Sequence, residues 1–402
     1  TLKPFEALVN LIIRTNSPMG SNGCSSMVRL PCRMASSKKP APAWSLGERK
    51  SRAMKTVNAL FSNADRSFLI ITAALIAAGF LVLASASGAL SLRQFQVSHY
   101  YVVNQFIKGF LPGLALFTAG LLIPYTFWRR AAVPLMIATL VLMALVFVPA
   151  IGFSHGGATR WLSFGPFLFQ PSEFLKLSLI IYLASWLEAR RPVIEEYSAT
   201  FAPFVIIMGV VGIFLGLQPD LGTFMVMCGT ATFMYFIGGS RPSQIGALIV
   251  FGLIGFFVVL QLMPYSRDRI MVFLDPSSDP LGKAYQVNHA FIAIGSGGFW
   301  GRGIGESLEK HGFLPEPMGD SIFAVFAEEF GFIGGIVLIS LFLLFLWRGM
   351  LIASRAPTPF AILLATGIVA SNSIKAFINN GANSGILPLT GITLPFISYG
   401  GS

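Results

Sequence analysis

The stretch SFLIITAALIAAGFLVLASASG, Ser67 to Gly88, runs for 22 residues without an ionisable side chain. Wound as an α-helix at about 1.5 Å per residue, it reaches about 33 Å, enough to cross a hydrocarbon core about 30 Å thick. Apolar blocks of similar length recur along the chain. They predict nine spanning helices, centred in 67–88, 102–123, 131–150, 171–187, 201–217, 221–238, 243–263, 321–347 and 358–379. Composition agrees: 54% of the 402 residues are hydrophobic, 11% are charged, and mean hydropathy is +0.72. A water-soluble domain carries about a quarter charged residues. The sequence therefore describes an all-α polytopic membrane protein.

The formal net charge of +11 is unevenly placed. Residues 1–66 hold 11 Lys and Arg against three acidic residues, a net of +8, and the other 336 residues carry +3. A basic segment ahead of the first apolar block is what a cytoplasmic N-terminus carries. No aromatic-and-basic recognition module accompanies it, so nucleic acid is not an expected partner. With that end inside, the cytoplasmic connections hold Arg129 and Arg130, Arg190 and Arg191, Arg241, and Arg348 and Arg355. Every inner loop is then basic, and the orientation is self-consistent.

Residues 1–65 are rich in Ser, Pro, Lys and Arg and have no sustained apolar period. They are expected to form a disordered cytoplasmic leader or an over-extended start, with Met34 and Met54 as alternative first residues. Residues 66–402 make the membrane domain. Cys24, Cys32 and Cys228 form neither an even disulfide set nor a metal-ligand spacing, and the four His are scattered.

This topology places residues 264–320 outside the membrane. The segment holds seven of the 17 acidic residues and five basic ones, interleaved with Tyr285, Phe291, Phe299, Trp300 and Phe313. Such interleaving predicts a folded, membrane-hugging loop in which chemistry is concentrated. The chain ends on LPFISYGGS, Leu394 to Ser402, on the outer side where another span would begin. A further C-terminal span is expected.

Ionisable groups inside spans are costly, and two regions collect them. In GGATRWLSFGPFLFQPSEFLKL, Gly156 to Leu177, Glu173 and Lys176 sit three apart on one helix face. They read either as an internal ion pair that pins packing or as substrate contacts. Arg160 and Trp161, just outside the membrane, suit a headgroup or pyrophosphate. In WGRGIGESLEKHGFLPEPMGDSIFAVFAEEFGFIGG, Trp300 to Gly335, a glycine-rich stretch passes through an acidic run, including Glu316, into the eighth span. Asp320 lies at the mouth of that helix and reads either as its N-cap or as a functional carboxylate. Glu328 and Glu329 fall two turns in; at least one must face a polar interior, and packing against Lys375 of the ninth span is one arrangement open to it.

At these residues the chain resembles the SEDS family, which comprises the FtsW, RodA and SpoVE proteins. The resemblance is carried by Arg160 to Lys176, by Tyr285 to Asp320 with IFAVFAEEFG (Ile322 to Gly331), and by GILPLTGITLPFISYGGS (Gly385 to Ser402). The last block and the LPE…D spacing, Leu314 to Asp320, are closer to the family's cell-division branch than to its elongation branch.

The resemblance implies ten transmembrane helices, of which nine are present here. It also implies an enzyme that polymerises lipid II outside the cytoplasmic membrane, beside a class B penicillin-binding transpeptidase and other divisome proteins. The family's catalytic acid maps onto Asp320, although many relatives follow it with Phe where this chain has Ser321. A carboxylate there can take the proton of the acceptor sugar's 4-hydroxyl. The leaving undecaprenyl pyrophosphate needs cations, expected from Arg160, Lys176, Arg302, Lys310 or a divalent ion such as Mg or Mn. The alternatives are an elongation role, a lipid II flippase that depends on Glu328, Glu329 and Lys375, and a non-catalytic scaffold.

Overall fold

Eleven α-helices and three short strands are set out along the described residues of the computed structural model, which are 64–149, 151–155, 158–164, 167–262, 264–277 and 279–400. The chain divides into two units, Thr1–Asn58 and Ala59–Ser402, and every described residue falls in the second. The expected leader over 1–65, with Met34 and Met54, lies outside the described residues except for Ala64 and Asp65.

Helices occupy all nine predicted positions: α1 (Arg66–Phe95), α2 (Tyr100–Leu122), α3 (Tyr125–Leu145), α4 (Pro171–Arg190), α5 (Tyr197–Leu217), α6 (Leu221–Ile237), α7 (Pro242–Leu262), α10 (Ile322–Ser354) and α11 (Pro359–Asn383). Seven of these are long and apolar enough to cross a membrane. The other two are α4, whose 20 residues include Glu173, Lys176, Glu188 and Arg190, and α6, which has 17 residues. The ten spans that the resemblance implies are not reached among the described residues. Two shorter helices, α8 (Pro264–Leu274) and α9 (Tyr285–Gly297), lie in the segment between α7 and α10.

Local chemistry explains the helix starts. Asp65 Oδ1 accepts from Phe68 N at 2.9 Å, Asp220 Oδ1 from Thr223 N and Thr358 Oγ1 from Ala361 N, so α1, α6 and α11 each begin on a capping side chain. Pro171 and Pro359 open α4 and α11, where a missing N–H costs nothing. The basic pair Arg129 and Arg130, expected in a loop, is inside α3, and Arg129 binds Glu188 of α4 at 2.8 Å.

Because lipid tails are as apolar as Leu, helices in a bilayer associate through close fit and polar contacts. Helix α4 is the hub of the larger core: Leu175, Leu179, Leu183 and Leu187, one turn apart, pack with residues of α3, α5, α6 and α11. A second core joins α1, α10 and α11 with Leu394 and Ile397 of the C-terminal stretch. At Gly79 the backbones approach so closely that a Cβ would lie 2.2 Å from Phe396 O. An antiparallel meander of β1 (Gly152–His155), β2 (Ala158–Phe164) and β3 (Phe167–Phe169) between α3 and α4 was not expected. Its strands are too short for a clear alternating pattern.

Helix α10 breaks at Gly331, whose φ of 68° and ψ of −166° are open to glycine and costly for any other residue. The segment after α9 fills the break. Arg302 N and Gly303 N donate to Glu328 O and Glu329 O at 3.0 Å, while Gly298 O and Phe299 O accept from Phe332 N and Ile333 N. The groups orphaned by the kink are thus satisfied by the neighbouring loop, as a low-dielectric setting demands. Gly331→Ala is expected to lower stability by at least about 2 kcal/mol through strain and a clash with Gly301 N. A thermal melt of the purified variant matching wild type would overturn this account of the kink.

Candidate active site

Asp320 sits in the turn that leads into α10, and that turn is fixed mainly through its backbone. Asn379 and Asn383, one turn apart on α11, both donate from Nδ2 to Asp320 O at 2.8 Å. Ser398 Oγ donates to Gly319 O at 2.6 Å, and Tyr399 N donates to Met318 O at 2.8 Å. Glu316 adopts φ +49°, and its carbonyl closes the turn by accepting from Gly319 N and Ser321 N. The loop is therefore held by α11 and by the 394–399 stretch, with the Asp320 side chain left available.

The N-cap reading of Asp320 does not hold. Ser321 occupies the cap position, and no side chain caps α10. The Asp320 carboxylate instead accepts from Gln286 Nε2 of α9 at 3.2 Å. Protein surrounds the group while part of it stays accessible. Burial raises its pKa to about 6, with Glu316 adding to the rise, while the Gln286 bond and the charge of Arg269 oppose it. Beside it, a cavity of about 340 Å³ is lined by Asp268, Arg269, Lys283, Gln286, Phe291 and Leu389 among others, and Lys283 binds Asp268 at 2.8 Å. Arg269 is fixed by a 2.9 Å bond from Nη1 to Leu389 O, and its guanidinium and Asp320 Oδ2 flank the same glycine, Gly391.

Several residues expected to meet substrate have other partners. Lys310 is 6% exposed, and its Nζ donates to Gly305 O at 2.7 Å, Ser85 Oγ at 3.0 Å and Glu329 Oε1 at 2.7 Å. Arg302 lies 3.6 Å from Glu328, which also accepts from Ser307 Oγ, Leu308 N and Glu309 N. The acidic pair of α10 thus anchors the 302–310 loop. Among the described residues, both acids bind cations of that loop, Arg302 and Lys310, in place of the open possibility of packing against Lys375. Arg160 Nε donates to Gln218 O at 3.0 Å and its Nη2 to Pro219 O, clamping β2 to the start of α6, while Trp161 lies opposite Phe153 in the sheet.

Lys176 binds Glu173 at 2.7 Å, and both lie within electrostatic reach of the buried Lys375. Glu173 and Lys176 thus form an ion pair within the bundle. Among the described residues, no contact joins it directly to Asp320. The nearest link is the face of α11 itself, on which Lys375, Asn379 and Asn383 follow one another at successive turns. Among the same residues, no three His, Cys, Asp or Glu come together as metal ligands. Arg269, Gln286, Asn379 and Asn383 were not singled out from sequence. Only the two Asn carried a signal, as amides four apart inside an apolar span.

Comparison with known proteins places this arrangement. Residues 65–402 match the family model FtsW/RodA/SpoVE, described as "Cell cycle protein". The chain is 38% identical over 338 residues to a protein of Geobacter metallireducens named probable peptidoglycan glycosyltransferase FtsW, covering 84% of this chain and 90% of that one. It is also 38% identical to stage V sporulation protein E of Bacillus subtilis, over 84% of this chain and 92% of that one. A solved chain from a study of the structural coordination of polymerization and crosslinking by a peptidoglycan synthase complex superposes with a TM-score of 0.68 at 30% identity. That match covers 85% of this chain and 93% of the other. The chain belongs to the FtsW/RodA/SpoVE family of multi-pass membrane proteins.

Proposed function

We propose that this protein is a peptidoglycan glycosyltransferase that polymerises lipid II at the outer face of the bacterial cytoplasmic membrane, at the division septum. The observation that carries the reading is Asp320: a partly accessible carboxylate outside the spans, on a loop held through its backbone, bound by Gln286 of a cavity wall that also carries Arg269. The names of the relatives support the reaction class, and the neighbour from a complex that joins polymerization to crosslinking supports a crosslinking partner, which we take to be a class B penicillin-binding transpeptidase acting with other divisome proteins.

In the reaction, the acceptor's 4-hydroxyl attacks the anomeric carbon of the donor sugar while Asp320 takes its proton. A new glycosidic C–O bond forms, and the bond to the diphosphate breaks with its electron pair leaving on undecaprenyl pyrophosphate. Arg269, fixed on Leu389 O, faces the growing negative charge, while Lys283 on the same wall is paired with Asp268 at 2.8 Å. Single displacement inverts the anomeric centre and gives a β-linked glycan from an α-linked donor. A divalent cation would add positive charge at the leaving group. The second carboxylate near Asp320, Glu316, does not complete a three-ligand set, so no step is assigned to a metal.

A base works in its ionised form. With a pKa raised to about 6, Asp320 is roughly nine-tenths ionised at pH 7 and half ionised at pH 6. Polymerisation is therefore expected to fall about tenfold per unit as pH drops below 6. An acid limb near 4 in the pH–rate profile would mean that burial does not raise the Asp320 pKa, since an aspartate base of ordinary pKa gives a limb there. The class of activity is tested with labelled lipid II and the protein co-purified with its transpeptidase. Polymer formation supports the reading, whereas lipid II movement across vesicles without polymer replaces it with transport. The transport reading has lost two of its three charges, because Glu328 and Glu329 are engaged with the 302–310 loop.

A further inference from the structure

The bonds that fix the Asp320 turn reach its backbone and leave the carboxylate free to rotate. Asn379 and Asn383 reach Asp320 at its carbonyl oxygen, and Ser398 and Tyr399 contact Gly319 and Met318. Gln286 is the group that reaches the carboxylate. Its Nε2 lies 3.2 Å from Asp320 Oδ1 and 3.0 Å from Ser321 Oγ, and its side chain also forms part of the cavity wall. A carboxylate only accepts, so the amide must turn its NH₂ toward Asp320. We propose that Gln286 is a positioning residue for glycosyl transfer, holding the Asp320 carboxylate charged and turned to the cavity where the acceptor hydroxyl arrives.

This inference rests on the assignment of Asp320 as the base. The other charges facing Asp320 are Arg269 from α8, on one side of Gly391, and Glu316 from its own turn. They act with opposite sign. Among the described residues, helix α11 presents the two Asn amides, and the C-terminal stretch presents Gly391. On α9, one turn after Gln286, His289 binds Glu309 at 2.6 Å and ties that helix to the 309–311 turn. The α9 backbone is thereby braced, and Gln286 projects from a fixed position.

The proposal makes Gln286 matter more to the charged than to the neutral form of Asp320. Gln286→Leu removes a donor to the anion, so the acid limb of the pH–rate profile is expected to rise by about one unit. At pH 7.5, kcat should fall about tenfold, through misorientation as well as protonation. Gln286→Glu keeps the length of the side chain and sets a second carboxylate against the first. It should raise the limb further, because two close carboxylates resist joint ionisation. Both variants would be compared with wild type in lipid II polymerisation from pH 5 to 8.5, after size-exclusion and melting checks.

An upward shift of the limb in either folded variant supports the proposal. Lower activity with the limb unmoved assigns Gln286 a merely structural part and overturns it, as does wild-type behaviour. If wild type has no acid limb near 6 and Asp320→Asn still polymerises, the base assignment itself has failed. That outcome differs from failure of the Gln286 inference, in which wild type keeps its limb and the variants share it.

Discussion

Asp320→Asn is expected to lower glycan polymerisation by roughly 10²- to 10⁴-fold, the range that general-base catalysis commonly supplies, and to leave the protein folded. The two halves of this expectation have separate structural grounds. Activity should fall because an amide cannot take the proton of the acceptor hydroxyl. Folding should survive because the turn is held through Met318 O, Gly319 O and Asp320 O, none of which belongs to the altered side chain. The Asn Oδ1 can still accept from Gln286. Polymer length on gels, read beside a thermal melt and co-purification with the transpeptidase, checks both halves. More than a tenth of wild-type activity in a folded variant would mean that another group takes the proton.

Much of the frame was legible because a bilayer writes itself into sequence. Twenty-residue apolar blocks and basic inner connections placed nine helices, and the observed ends differ from expectation mainly where helices continue past the apolar core, as α3 does through Arg129. The position of Asp320 was legible for a related reason: an acidic residue at the mouth of an apolar span stands out. Its surroundings were not. Arg269 comes from a helix within a segment of mixed polarity, and Gln286 is one of several polar residues on α9. Their convergence on Asp320 depends on how α8 and α9 fold back toward the C-terminal stretch, which no local pattern encodes.

The charges were the least legible feature, because sequence gives their number and not their partners. Arg160, Arg302 and Lys310 were expected to meet a diphosphate, yet each binds another part of the chain. The Gly331 kink is the physical reason for two of these. It exposes carbonyls at Glu328 and Glu329 that draw in the backbone at 302–303, and this brings Arg302 and Lys310 to the two acids. Glycines at 331 and 301 were visible in sequence, but their reciprocal fit was not.

Lys310→Met is expected to cost about 3–5 kcal/mol of stability, the usual effect of leaving one member of a buried ion pair alone. The Lys310 side chain is 4% exposed and that of Glu329 is 0%, and they lie 2.7 Å apart. Ser85 of α1 donates to the same Glu329 oxygen at 2.5 Å and also accepts from Lys310, so the lysine joins α1, α10 and the loop between them. Without it, the Glu329 carboxylate is left without its cation in a buried site, where its Oε2 already has no hydrogen-bond partner among the described residues. The double variant Lys310→Met/Glu329→Gln removes both charges and should recover most of the loss, since a neutral buried site avoids the uncompensated charge. A substrate-binding lysine would behave otherwise: the single variant would melt like wild type and lose polymerisation, and the second substitution would restore nothing. Melting of the two variants in one detergent distinguishes these cases, and normal stability of Lys310→Met would return the residue to the substrate site.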